Sequence, residues 1–368
     1  MNILLFGEYS GLHTFLALGL KELGHKVTTV SDGNMFHDFP RDINIQRGTS
    51  RFSGLRHFVK MVCLLPKFSG FDIVQLINPD CFGVKAEREV YFYKYLRKHN
   101  KKLVVGAFGC DWYWVHDGLH YKTFRYGDFY IGNQTRHDEA TSFFVNEYVN
   151  TEKGTYTQYV MKDADRIPTC LYEYQACYSR YFPDKTQFIP LPFIINNNVP
   201  IHSFDGKVIR FFIGIDKKRS VYKGTDIMLK ALKSISSRYP EDCHITKVES
   251  LPYAEYEQSM NSCDVMLDQL YSYTPSMNSL LAMSKGIIVV GGGEPENYEI
   301  IHEEQLHPII NVEPSFDSVC SQLEWLIQNK GQINRLKEES IQYVKKHHDY
   351  KKIAQQYEMM YKKLLETI

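Results

Sequence analysis

The chain has 368 residues, and its 43 Lys plus Arg balance 43 Asp plus Glu. Roughly 150 residues per domain makes about two domains, each able to bury a core, and the zero net charge excludes a chain built around a basic footprint for duplex nucleic acid. Hydrophobic residues at 43% and aromatic residues at 14% exclude disorder, and no apolar run nears the ~20 residues of a membrane-spanning helix.

The N-terminal run from Met1 to Gly7 has no basic stretch or cleavage site, so it reads as a strand rather than a signal peptide. The eight Cys are scattered without a C-x-x-C pair, which points to a reducing cytoplasm and away from zinc or a disulfide framework. Residues 2–6 are a predicted strand, 12–23 a helix ended by Gly24, and 26–30 a second strand. That βαβ unit implies a parallel sheet. Residues 55–68 mix basic and apolar side chains, which suits a core-facing helix or one lying on an anionic membrane. Strands follow at 72–77 and 103–108 with a helix at 86–99 between them. A helix over 137–163, a strand over 166–170, a helix over 172–181 and a strand over 187–191 complete the first half.

Pro190-Leu191-Pro192 and Asn196-Asn197-Asn198-Val199-Pro200 punctuate the chain as a linker. The alternation then restarts. Strands are predicted at 208–213, 243–248, 265–267 and 287–290, with helices at 225–239, 254–261, 276–285 and 315–329 and a helical tail over 336–368. The pattern is α/β, with two doubly wound Rossmann-like domains spanning 1–195 and 196–349. In such folds ligands sit outside the carboxyl ends of the strands, commonly in the cleft between two domains.

Five segments can carry chemistry. Gly7-Glu8-Tyr9-Ser10-Gly11 lies between the first strand and its helix. It either lets an anion approach the helix N-terminus or is a tight turn. Gly109-Cys110-Asp111-Trp112-Tyr113-Trp114 sets an Asp beside aromatics, fit for a sugar or for a helix cap. His116-Asp117 beyond it is a candidate acid–base pair. Lys217-Lys218-Arg219 and Lys223-Gly224 follow a strand and precede a helix, where Arg and Lys grip phosphate. Ser276, Met277 and Asn278 open a helix and either cap it or present polar groups at its positive end. Gly291-Gly292-Gly293-Glu294 ends a strand, and three Gly there suit backbone N–H groups reaching phosphate or sugar oxygens.

Fragments from Gly214 to Gly293 resemble the donor half of GT-B glycosyltransferases, in particular glycosyltransferase family 4 of bacterial surface-polysaccharide clusters. Lys223-Gly224-Thr225-Asp226 looks like that family's Lys-Gly motif, and Leu280-Leu281-Ala282-Met283-Ser284-Lys285-Gly286 looks like its Leu-Glu-Ala-Met-Ala-x-Gly segment. The resemblance implies two domains facing a cleft, with a terminal helix, 350–368, crossing back to the N-terminal domain. It implies transfer of a sugar from a UDP- or GDP-linked donor to a hydroxyl of a glycan or lipid-linked glycan, with retention, at the inner face of the membrane. By that match Lys223 binds the donor diphosphate, and Arg219 is chosen as its partner. Gly7, Ser10, Gly11, Ser276, Met277, Asn278 and Gly291 to Glu294 complete the donor side, and Asp111 is the candidate base. No metal or other cofactor is expected. The family's Glu-x7-Glu pair is replaced by Tyr273 and Leu281. That departure keeps two alternatives open: a nucleotide-sugar 2-epimerase of the same fold, or a non-catalytic nucleotide-sugar or glycan-binding subunit.

Overall fold

The computed structural model describes residues 1–34, 37–195 and 202–366. The Asn196–Pro200 linker lies outside the described residues. The chain divides into two compact units. One comprises Met1–Thr123, Phe143–Pro192 and the chain from Tyr350 on; the other comprises Phe124–Ser142 and Phe193–Asp349. Residues 124–142, read from sequence as part of the first domain, thus belong to the second unit.

The sheet of the first unit has five parallel strands in the order Ile43–Asn44, Lys26–Ser31, Asn2–Phe6, Ile73–Leu76, Lys102–Val105. Ile3 to Phe6 have no exposed surface, as expected of a strand covered on both faces and therefore written as an unbroken apolar run. Single parallel bridges, Val104 to Arg166 and Ala107 to Thr169, continue the sheet toward the pair Ile167–Thr169 and Thr186–Phe188. The last helix, Tyr350–Glu366, belongs to this unit and packs on Leu12–Glu22. A Cβ on Gly19 would lie 2.5 Å from that of Ala354, so glycine sets how closely the two helices approach.

The sheet of the second unit repeats the plan with the order Cys243–Glu249, Ile209–Ile215, Val265–Leu267, Ile288–Gly291, Ile310–Asn311. Thr225–Arg238 and Phe316–Gln328 pack against each other, burying Met228, Leu232, Ile235, Leu323 and Leu326. The first strand is central in the first sheet and next to the edge in the second, and in each the strand order reverses beside it. That reversal opens a crevice at the carboxyl ends of Asn2–Phe6 and Ile73–Leu76, and another at those of Ile209–Ile215 and Val265–Leu267.

Three elements depart from expectation. The helix read over 137–163 is two, Glu139–Tyr148 and Glu152–Asp163. Asn150 takes a φ of 55°, and Thr151 caps the second helix by accepting from the Gly154 N–H at 3.0 Å. The tail, read as helical over 336–368, is two helices, Ile333–His347 and Tyr350–Glu366, the second of which joins the first unit as the resemblance implied. Helix Ser53–Leu64 buries only His57 and Met61. Among the described residues no helix is long and apolar enough to cross a membrane.

Candidate functional site

In the second unit, strand Ile209–Ile215 leads through Asp216–Arg219 into a one-turn helix, Ser220–Lys223. The Lys223 N–H donates to the Arg219 carbonyl at 2.9 Å, so the two residues stand one helical turn apart. Gly224 then takes a φ of 72° and starts helix Thr225–Arg238. A side chain there would meet Leu270 Cβ at 2.8 Å. The Lys-Gly pair is therefore fixed locally: only glycine fits both the left-handed backbone and the close approach. The Lys223 carbonyl accepts from the Leu270 N–H at 2.9 Å, tying this turn to the loop after Val265–Leu267.

The basic residues divide into two sets. Lys217 pairs with Glu249 at 2.9 Å, and Lys247 joins the same carboxylate at 2.8 Å. These two ammonium groups hold the Glu249 carboxyl at about 2. Arg219 is exposed and lies 5.2 Å from the Tyr222 ring. Neither Arg219 nor half-buried Lys223 has an acidic partner among the described residues. Two cations one turn apart at the switch point of a parallel sheet are an arrangement able to take an anion.

The other donor-side residues turn inward. Buried Asp268, just after Val265–Leu267, accepts from Asn278 Nδ2 at 2.9 Å and from the Ser279 hydroxyl. Ser276 Oγ lies 3.5 Å from the same carboxylate. Ser276 and Asn278 thus anchor the start of helix Met277–Ser284 on Asp268 and do not stand in for a missing ribose carboxylate. Met277 is half-buried in the first turn of that helix.

The three glycines after Ile288–Gly291 have a packing cause, contrary to the expectation from sequence. A Cβ on Gly292 would sit 2.5 Å from the Ser272 carbonyl oxygen, one on Gly293 2.7 Å from Ile309, and one on Gly291 3.1 Å from the Gln269 carbonyl. None of the three needs a left-handed backbone. The Gly293 N–H donates to Asn311 Oδ1 at 3.2 Å. Glu294 is buried, and its carboxylate is held by the Tyr126 hydroxyl and by Arg125 Nη2 at 2.7 Å. Both oxygens are engaged within the unit, so Glu294 is an anchor rather than a sugar ligand.

In the first unit, Gly7 (φ 87°), Ser10 (φ 52°) and Gly11 (φ 92°) form the expected turn before Leu12–Glu22. Its helix N-terminus already holds an acceptor, the Glu8 carboxyl group. That group accepts from the N–H groups of Gly11 at 3.0 Å, His13 at 3.3 Å and Thr14 at 2.8 Å, and from the Thr14 hydroxyl. The donor-phosphate role expected of this turn is therefore taken by the chain's own carboxyl group. Burial pushes the Glu8 carboxyl upward, and those four donors pull it back.

Asp111 is the N-cap of helix Trp112–His120, with Oδ1 accepting from the Trp114 N–H at 3.1 Å. Burial pushes its carboxyl up to about 6. With no exposed surface it cannot reach a ligand hydroxyl, so the capping role stands and the base role does not. His116 and Asp117 are not a pair either. His116 Nδ1 lies 3.0 Å from the Tyr181 hydroxyl, and Asp117 takes Thr123 at 2.7 Å and Arg180 at 3.3 Å.

Sequence reading missed a cavity of about 410 Å³ beside Gly7, lined among others by Tyr9, Asp32, Arg47, His57 and Asp80. Lys153 bridges Asp80 at 2.9 Å and Glu147 at 2.6 Å. The missed signal was local: Asp80 follows the second central strand of this sheet at the same switch point as Gly7.

The sequence matches no protein-family model, and no curated protein matches it by sequence. Its fold is similar to that of several solved structures. Sucrose-phosphate synthase from Thermosynechococcus elongatus aligns over 100% of both chains, with a TM-score of 0.63 and 13% identity. Anabaena HepE in complex with UDP-glucose aligns over 98% of this chain and 99% of its own, with a TM-score of 0.62 and 12% identity. A glycosyltransferase from Rickettsia africae covers 100% of this chain and 99% of its own, at a TM-score of 0.56 and 13% identity. What is shared at such identity is the fold, the α/β architecture of two parallel-sheet domains found in GT-B glycosyltransferases.

Proposed function

We propose that the chain is a glycosyltransferase that moves a sugar from a nucleotide-diphosphate donor to a hydroxyl of a glycan or lipid-linked glycan. The observation that carries this reading is the pair Arg219 and Lys223, cationic and without an acidic partner, at the switch point of the second sheet. The full-length likeness to HepE, whose solved structure holds UDP-glucose, favours a UDP-linked donor. As the bond from the sugar to the diphosphate breaks, the donor carbon gains oxocarbenium character and negative charge grows on the departing phosphate. Preorganised cations aimed at that charge lower the barrier. With Asp111 and Glu294 engaged elsewhere, the proposed proton acceptor is the leaving phosphate itself, in a retaining reaction.

The acceptor is proposed to bind in the first unit, in the cavity beside Gly7. A lipid-linked acceptor is supported by helix Ser53–Leu64. Phe52 (63% exposed), Leu55 (60%), Val59 (51%) and Val62 (44%) form one outward row on it. No acidic residue occurs between Asp42 and Asp72, while Arg47, Arg51, Arg56, Lys60 and Lys67 do. An apolar row flanked by cations fits the surface of an anionic bilayer.

The test is turnover of a panel of isotope-labelled UDP- and GDP-sugars by purified protein, with products resolved by chromatography. Release of UDP coupled to a glycosylated acceptor is expected. Interconversion of the donor sugar without transfer would show an epimerase, and binding without turnover a non-catalytic subunit.

A further inference from the structure

Within the second unit, the segment from Phe124 to Asp138 lies on the loops that carry the donor site. It forms a short hairpin, Tyr130–Ile131 with Gln134–Thr135. Arg136, only 8% exposed, donates through Nη2 to the carbonyls of Val221 and Tyr222, both at 2.9 Å. Its guanidinium lies 3.6 Å from the centre of the Tyr271 ring, and Nη1 donates to the Gly127 carbonyl at 3.1 Å. Asp138 balances its charge at 3.2 Å. At the other end of the segment, Arg125 bonds Glu294 at 2.7 Å and Glu296 at 2.5 Å. Its N–H donates to the Tyr273 hydroxyl at 2.8 Å, and Tyr126 bonds Glu294.

These contacts reach three loops, each following the carboxyl end of a different strand: Ile209–Ile215, Val265–Leu267 and Ile288–Gly291. Val221 and Tyr222 sit in the single turn between Arg219 and Lys223, and that turn is too short to hold its own geometry. The Val221 carbonyl also takes the Gly224 N–H at 3.2 Å; Arg136 serves both carbonyls through Nη2 while Nη1 serves Gly127 and the flat guanidinium covers the Tyr271 ring, a set of contacts that a compact ammonium does not reproduce.

We propose that Arg136, at the centre of this segment, is a positioning residue for the donor site: it fixes the Ser220–Lys223 turn so that Lys223 meets the diphosphate, while Arg125 and Tyr126 hold the neighbouring Gly291–Glu294 loop. This rests on the glycosyltransferase reading. Arg136 touches no reacting atom and acts through Lys223.

The test is a double-substitution cycle of Arg136→Lys and Lys223→Ala, read by calorimetric UDP and GDP affinity and by donor kcat and KM. Arg136→Lys is expected to weaken nucleoside-diphosphate binding about tenfold, and to add less than twofold once Lys223 is already Ala. Tyr126→Phe keeps the ring and loses the bond to Glu294. It is expected to lower donor kcat/KM with an unchanged melting temperature, and it serves as the arm should Arg136→Lys fail to fold. Full additivity of the two substitutions, or wild-type kinetics in both single strap variants, overturns the positioning role alone. A wild-type protein that binds neither UDP nor GDP takes down the donor reading and this proposal together.

Discussion

Lys223 and Arg219 stand out because neither has an acidic partner among the described residues. Lys223→Ala and Arg219→Ala are each expected to lower turnover by about 10²–10³, the loss of roughly 2–4 kcal/mol of charge stabilisation, with circular dichroism and melting unchanged. The glycines around them behave differently. Gly292→Val drives a side chain into the Ser272 carbonyl, 2.5 Å from where its Cβ would fall. It should therefore lower stability by about 1–3 kcal/mol, visible in a chemical melt. Asp111 provides a pH signature. Its carboxyl titrates near 6 in the folded protein against an ordinary 3.8. A carboxyl raised on folding stabilises the native state below the unfolded value and loses that contribution as pH rises through the folded one. At 1.36 kcal/mol per pKa step, the stability difference between wild type and Asp111→Asn should change by about 2 kcal/mol between pH 4 and 6. Asn caps a helix as well as Asp, so the variant isolates the titration. Residue identities alone made Lys223, Gly224 and the Asp111 cap legible. They did not show that Glu8 would fill its own helix terminus, or that Arg125 would meet Glu294 across 169 positions.

Elements with strong local punctuation were legible. Ala86–His99 opens with Glu87 and Glu89 and closes with Arg97, Lys98 and His99, each charge suited to its end of the dipole. Helix Trp112–His120 was legible only as the alternative in which Asp111 caps it, because Trp112, Tyr113, Trp114 and Val115 favour a strand locally while the Asp111 cap and packing on Tyr172–Tyr181 decide otherwise. The hairpin at 130–135 had one readable cue, Gly132-Asn133 as a two-residue turn, but its strands are too short to show alternation. Helix Ser53–Leu64 differs from all of these in leaving its apolar row uncovered. The protein should sediment with phosphatidylglycerol vesicles at low salt and be released as ionic strength rises. Leu55→Asp with Val59→Asp should abolish sedimentation while leaving nucleoside-diphosphate affinity unchanged. Equal sedimentation of wild type and variant would exclude this face as the docking surface.

At the scale of the whole molecule, the first unit is assembled from both ends of the chain. Helix Tyr350–Glu366 buries Ile353, Tyr357, Met360, Tyr361 and Leu364 in it. The Tyr361 hydroxyl reaches buried Gln75 at 2.7 Å, and Gln75 in turn reaches His13 at 3.1 Å. Five large buried side chains at ~1.5–3 kcal/mol each amount to roughly 7–15 kcal/mol, as much as a whole domain's stability. Truncation after Asp349 should therefore unfold the first unit and leave the second intact. Limited proteolysis should return a resistant fragment from about 202 to 349 that binds nucleoside diphosphate only while the 124–142 segment stays attached to it. The sequence showed the apolar face of this helix, and the family resemblance its crossing to the first unit, as the structure has it.

That same arrangement reverses the order in which the protein can mature on the ribosome. The strand at the centre of the first sheet, Asn2–Phe6, is made long before Tyr350–Glu366, and the unit around it lacks one wall until that helix emerges. The second unit, encoded mostly in between, is complete sooner. A nascent chain therefore carries an open-sided first unit, with Leu16, Leu20 and Gln75 awaiting their cover, beside a finished second one. Chaperone contacts during translation should concentrate on the segment up to about residue 120 and persist until Tyr350–Glu366 has emerged, which ribosome profiling of chaperone-bound nascent chains can read directly.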